Sequence, residues 1–248
     1  SRLKPDPWSA TALLISLVVL APIVAVGTLA LFPSENIWPH LLATTLPRYL
    51  GNTLVLMAGV GLLAALVGTG AAWLIARYEF PLARWFEWLL LLPLAVPAYV
   101  GAYALVDLLE YAGPVQTALR AAFGWESARD YWFPEIRSLG SAIIVLAAAL
   151  YPYVYLLARA AFHEQSGASE EVAMSLGQGA LRRLRRIGLP LARPAVAAGP
   201  AIVLMAAVHH VGTVDYFAVP PLTTVIFSTW LLGTNTRGAA HVACVVLP

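Results

Sequence analysis

Three ionisable side chains fall where a strongly apolar run leaves least room for them. His209, His210 and Asp215 lie in "AIVLMAAVHHVGTVDYF", within the apolar stretch from Pro194 to Phe217. Ionisable groups in hydrocarbon are costly, so a functional site is the default reading. At about 100° per residue, His209, Thr213 and Tyr216 share one helix face. Asp215 lies well round the helix from His209, so its partner is expected on another helix, with Gly212 offering a place to bend. Three roles are open to this group: lining a path through a bundle, packing as satisfied interior polars, or holding a metal. Imidazole suits iron or zinc, but adjacent histidines lack the i,i+4 spacing that aims two rings at one ion. An intramembrane metalloenzyme would need ligands from several helices and a general base. The sequence has no His-Glu-x-x-His, and His40, His163 and His241 are scattered near span ends. The single cysteine, Cys244, excludes an internal disulfide and a thiolate cluster.

A second group is polar and basic. "EEVAMSLGQGALRRLRRIGLPLARPA", from Glu170 to Ala195, interrupts two apolar stretches. Ser169 is placed to cap a short helix whose first turn holds Glu170 and Glu171, which suits the positive end of its dipole. Gly177 and Gly179 permit a sharp turn. A second helix follows, with Leu181, Leu184, Ile187 and Leu191 on one side and Arg182, Arg183, Arg185 and Arg186 on the others. Pro190 ends or bends it. The arginines alone fit a positively charged anchor on anionic lipid. That reading leaves the acidic cap, the paired glycines and the Ile-x-Leu-Pro ending unexplained.

The elements that must position these groups are membrane helices. Apolar types make up 60% of the 248 residues and charged types 11%, against roughly 25% charged in soluble domains. A soluble fold of this composition would expose large apolar patches. The net charge of +2 is too small to argue for nucleic acid. A spanning helix needs about 20 apolar residues. Five such spans are expected, at Trp8–Phe32, Leu50–Ala76, Trp85–Leu109, Leu139–Phe162 and Pro194–Phe217, with a sixth beginning after Gly238 and stopping short. The first 49 residues read as one span and its loop, and residues 50–248 as the main membrane domain. With the N-terminus in the cytoplasm, ten of the fifteen Lys and Arg fall on the cytoplasmic side, including the Glu170–Ala195 segment. Pro22, Pro93, Pro97, Pro152 and Pro200 lie inside spans, where they shape helices. The small residues of "GVGLLAALVGTGAA" (Gly59–Ala72) permit close helix contact. The loop Glu110–Ser138 carries Trp125, Tyr131 and Trp132, which fit either an interfacial belt or a surface for an external partner.

The spacing Glu171-x-Ala173, three residues, Gly177, nine residues, Ile187-x-Leu189-Pro190 resembles the EAA loop of binding-protein-dependent ABC importer permeases, with Val172 where Ala is usual. "GTVDYF" and the flanking "HHV…VIFSTW" resemble the iron(III) branch, as do "NTLVLMAGVGLLAALVGTGAAWLIARYEFP" and "LLPLAVPAYVGAYALVDLL". The resemblance runs from about Asn52 to Trp230. It implies an all-α integral membrane bundle of the type I ABC importer permease kind, corresponding to the N-terminal half of a fused two-repeat permease. It implies ferric iron as cargo, with thiamine, polyamine, sulfate or another anion as alternatives. Its implied partners are separate ATPase subunits at the loop, a periplasmic or surface binding protein, a second permease half and lipid, in a bacterial inner membrane. The chain lacks Gly-x4-Gly-Lys-Ser/Thr, so ATP is expected on a partner and no cofactor on this chain. The translocation path is expected near His209, His210, Thr213, Asp215 and Tyr216, where the family usually carries an acidic residue near the position of His210.

Overall fold

The computed structural model describes residues 7–31, 39, 46–165 and 167–246. The described residues are all-helical. Three helices are long and apolar enough to cross a membrane: α1 (Pro7–Leu31), α2 (Leu46–Arg77) and α6 (Leu139–Glu164). Two bent pairs raise the number of candidate spans to five.

The chain divides into two compact units. In the first (1–51 and 221–248), α1 packs along α12 (Thr236–Val246), and α11 (Leu222–Phe227) packs on α12 through Val225 and Val242. A π-helical turn, Ser228–Leu232, extends α11. α1 is apolar nearly all round, with none of its residues buried, as expected of a helix that faces lipid or another helix.

The second unit (52–220) holds both candidate groups. Its core joins α2, α4 (Ala98–Leu109), α6 and α9 (Arg193–His209) through Leu56, Val60, Val106, Leu146, Val154 and Val203. Small residues set the closeness. A Cβ on Gly68 would stand 2.8 Å from both the Tyr151 carbonyl oxygen and Val154 Cβ, and one on Gly199 would stand 2.9 Å from Val154 Cα. Three backbones therefore meet around Val154, as the small-residue run of α2 predicts.

The third expected span is broken. Instead of one helix over Trp85–Leu109, α3 (Ala83–Leu89) and a 3-10 turn (Leu92–Ala95) meet the segment from Ala98 at 93°. Pro97 lacks an N–H and forces Val96 into extended backbone, at φ −109° and ψ 120°. The prolines thus make a corner, more than a change of helix shape. α6 fastens the corner: Tyr151 Oη–H donates to the Leu90 carbonyl at 2.9 Å, and Arg159 Nη2 lies 2.8 Å from Glu87 Oε1. The fifth span is also interrupted. α9 ends at His209, His210 turns away at φ −84° and ψ 47°, and α10 (Val211–Tyr216) comes next. Pro200 and Pro152 stay inside their helices.

At the end opposite the arginine-rich segment, α5 (Pro114–Phe123) and the loop after it are tightly built. Trp125 stacks on Tyr131 at 4.7 Å and on Phe123 at 4.8 Å. Arg120 donates to the Tyr131 hydroxyl and covers the Tyr111 ring. Trp125 and Tyr131 thus pack on each other, while Trp132 stands free at 85% exposure. The Asp130 carboxylate accepts from the Glu126 and Ser127 N–H groups, which hold it below the ordinary carboxylate range.

Candidate functional site

The arginine-rich end is organised around Glu170. α7 (Gly167–Ser175) begins two residues before Ser169, so Ser169 lies inside its first turn and does not cap it. Glu170 faces inward and Glu171, about 100° further round, faces solvent. The Glu170 carboxylate sits between two guanidiniums: Oε2 is 2.9 Å from Arg77 Nε and Oε1 is 3.7 Å from Arg183 Nε. All three side chains are 15% exposed or less, so solvent screens them weakly. Arg77 Nη2 also donates to Gln165 Oε1, Gln165 Nε2 donates to the Gly188 carbonyl, and Arg183 Nη2 donates to the Tyr78 hydroxyl. This clasp fastens the ends of α2 and α6 to α7 and to α8 (Ala180–Arg183).

α7 stops at a glycine for a conformational reason. Gly177 has φ +71°. Its N–H donates to the Met174 carbonyl at 2.9 Å, and the Gln178 N–H donates to the Ala173 carbonyl at 3.0 Å. That pair of bonds is a Schellman ending, which needs a left-handed residue. Nothing lies within 4 Å of where a Gly177 Cβ would stand, so the turn is presented outward. Ala173 is buried beneath it, while Val172, Met174, Leu176 and Leu181 are exposed around it. A polar surface segment thus shows an apolar ring around a sharp turn.

After α8 the helix is not α. Leu184–Gly188 is a π turn closed by the Leu189 N–H on the Leu184 carbonyl. The extra residue rotates the side chains beyond it. Leu191, expected with Leu184 on the inner side, is 60% exposed, whereas Leu189 packs beside Ala192, Trp73 and Phe162. Ile187 and Pro190 are half-buried. Pro190 sits in the one-turn helix Leu189–Leu191, and the break comes at Ala192, with an 81° bend into α9. Arg183, expected on the polar side, faces inward. Sequence reasoning missed Arg77, Glu170 and Arg183 as one cluster. The only available signal was the end of α2 falling at "IARYEF", a basic and aromatic span end.

The polar group of the fifth span is divided by the break at His210. His209 and Asp215 are exposed, Thr213 is buried, and His210 and Tyr216 are half-buried. Each histidine bonds back to its own helix: His209 Nδ1 to the Met205 carbonyl and His210 Nδ1 to the Ala206 carbonyl, both at 2.7 Å. A carbonyl only accepts, so Nδ1 carries the proton and Nε2 points away. Each ring is thus tied to a different carbonyl of its own helix. Among the described residues no three His, Cys, Asp or Glu side chains group to hold a metal. Tyr216 meets Tyr103 at 4.1 Å between centroids, and Tyr103 meets Tyr99 at 6.5 Å. The Arg137 guanidinium covers the Tyr216 ring at 5.0 Å and pairs with Glu110 at 3.3 Å.

Continuous and broken candidate spans packed around a clasped surface turn are the architecture of a membrane component. The chain belongs to the binding-protein-dependent transport system inner membrane component family, which it matches over residues 61–246. It is 25% identical over 198 residues to the Fe(3+)-transport system permease protein FbpB 2 of Haemophilus influenzae, covering 80% of this chain and 34% of that protein. It is 27% identical to a probable molybdenum ABC transporter permease protein of Haloferax volcanii over 262 residues, covering 100% of this chain and 88% of that protein. It is 27% identical over 152 residues to the sulfate transport system permease protein CysT of Salmonella typhimurium, covering 59% of this chain and 50% of that protein. The chain thus spans about a third of its ferric relative and half of the sulfate one. The three relatives are named for three cargoes, so the comparisons establish the family and leave the cargo open. The fold resembles a chain of a bacterial ABC transporter involved in alginate import, with TM-score 0.74, 16% identity, and 96% of this chain and 90% of that one covered.

Proposed function

We propose that this chain is the permease subunit of an ATP-driven importer, with the Glu170–Pro190 segment in the cytoplasm as the seat of a separate ATPase. The supporting observation is the outward Gly177 turn, ringed by exposed apolar side chains and fixed from beneath by the Glu170 clasp. A fixed, protruding turn passes force into α2, α6 and α9; a floppy one would absorb it. A binding protein delivers cargo at the opposite end, and a second permease half completes the bundle. Rigid-body movement between two packings then carries the cargo across.

Within this reading the cargo is ferric iron, and the path runs by His209, His210, Thr213, Asp215 and Tyr216. The Tyr103 phenol stands against Tyr216 with Tyr99 beside Tyr103, and the Asp215 carboxylate adjoins Tyr216 in sequence. Oxygen donors of this kind suit a hard cation. The guanidinium packed there, Arg137, is already committed to Glu110 and Tyr216. The second reading is an oxyanion cargo, favoured by the relatives named for molybdenum and sulfate.

The test is uptake of labelled ferric iron and molybdate in cells lacking their own importers. The full-length gene is expressed with its neighbouring ATPase and binding protein, as wild type and as Gly177→Pro. Iron uptake lost in the variant is the expected result. Molybdate uptake without iron uptake overturns the cargo, and transport surviving Gly177→Pro overturns the coupling role.

A further inference from the structure

The arginines of the coupling segment divide into two sets. Arg77 and Arg183 face the Glu170 carboxylate. Arg182, Arg185, Arg186 and Arg193 are exposed and form no ion pair among the described residues. Two of the second set, Arg185 and Arg193, are brought to one groove of about 330 Å³ by the 81° bend at Ala192. The rest of its lining is apolar: Leu189, Pro190, Val196 and Ala197.

The two parts of the groove call for an amphiphile. Val196 and Ala197 lie near the start of α9, so the apolar lining continues along an apolar helix that forms half of a bent candidate span. The guanidiniums stand at the start of that helix, where the positive end of its dipole adds to their field. A soluble phosphate would satisfy the arginines and have no use for the apolar wall. An acidic protein surface would do the same. A phosphate headgroup with an acyl chain fills both parts, and basic pockets at helix ends on the membrane surface take anionic lipids.

We propose that the elbow between the π turn and α9 is a binding site for one anionic phospholipid. Arg185 and Arg193 hold its phosphate, and Val196 and Ala197 guide an acyl chain. The inference rests on α9 crossing the membrane and on neither the cargo nor the ATPase, so a failed transport assay leaves it standing.

The test is native mass spectrometry of the full chain in detergent, titrated with dioleoyl phosphatidylglycerol and, separately, dioleoyl phosphatidylcholine. The wild type is expected to retain phosphatidylglycerol and not phosphatidylcholine. At about 1 kcal/mol per arginine, Arg185→Gln or Arg193→Gln weakens retention about five-fold, and the double variant about thirty-fold. Arg185→Lys/Arg193→Lys keeps most of it, and Arg182→Gln/Arg186→Gln leaves it unchanged. Equal retention of the two lipids overturns the proposal, as does equal loss in the Arg182/Arg186 pair. Full displacement by excess inorganic phosphate would reduce the site to a headgroup contact and overturn the role of the apolar wall. Displacement by the purified ATPase that depends on the same two arginines would assign the groove to a protein partner, and would also overturn the proposal.

Discussion

Gly177→Ala tests whether the backbone of this turn is what the proposed ATPase partner recognises. Gly177 holds φ +71°, and a Cβ there meets nothing within 4 Å. Crowding inside the chain therefore contributes nothing, and the cost is that of an L-residue in the left-handed region, about 1–2 kcal/mol. That lowers the ratio of the formed turn to its alternatives about five- to thirty-fold. Affinity for a partner that docks on the formed turn falls by up to the same factor. Two companions separate φ from other causes. Gly177→Asn restores most of the loss, because Asn tolerates left-handed backbone. Gly179→Ala is neutral, because Gly179 sits at φ −66° and ψ 159° with open space around it. The assay is ATPase stimulation by loaded binding protein in proteoliposomes of the full complex, beside the affinity of the ATPase for the membrane subunit. If Asn is as damaging as Ala, the partner rejects any side chain there and the backbone argument fails. If Gly179→Ala is as damaging as Gly177→Ala, the Schellman turn is not what docks.

Removing the anion of the clasp leaves Arg77 and Arg183 facing each other, so Glu170→Gln is expected to cost about 1–3 kcal/mol in thermal unfolding; an equal loss from Glu171→Gln would show that the clasp is misassigned. Gly68→Val places atoms within 2.8 Å of the Tyr151 carbonyl and Val154 and should destabilise the bundle by about 1–3 kcal/mol or more, whereas at Gly70 in the same helix an added Cβ meets nothing within 4 Å, so Gly70→Ala should be tolerated, both read from the yield of monodisperse protein and its melting temperature. The Asp130 turn has a definite pH sign: backbone N–H donors lower the carboxyl pKa in the folded chain, so the hold is complete above the ordinary carboxylate range and is lost as pH falls through the lowered value. Amide exchange at Glu126 and Ser127 should show that step, and Asp130→Asn should abolish it.

What sequence made legible was whatever depends on local composition. The apolar runs place α1, α2 and α6 within a few residues of their ends, because length and hydropathy alone set a span. The small residues of α2 foretell close packing, and Gly68 provides it. The Gly177 turn is legible because few residue types close a Schellman ending. The corner at Pro97 was half legible: two prolines one turn apart warn of distortion, but whether they bend a helix or break it depends on Tyr151 and Arg159, which lie more than fifty residues away. The inward turn of Arg183 was not legible, because an arginine in a basic run gives no sign of which guanidinium will find a carboxylate, and the outward turn of Leu191 was not, because the π turn before it defeats a period of 3.6. Glu170 and Glu171 are indistinguishable by type; one helical step and the distant end of α2 separate an interior hub from a surface charge.

The π turn also bears on how this loop tolerates changes of length. A π turn holds one residue more than the α turn it replaces, so removing one residue between Leu184 and Gly188 closes an ordinary turn and leaves every later side chain in its present phase. The same deletion inside α2 or α6 would rotate the remainder of the helix by about 100° and turn a lipid-facing row into the core. The segment is thus a built-in slack position, where a single residue can be lost without re-registering the helices behind it. A deletion scan of this protein should find a permissive site within those five residues.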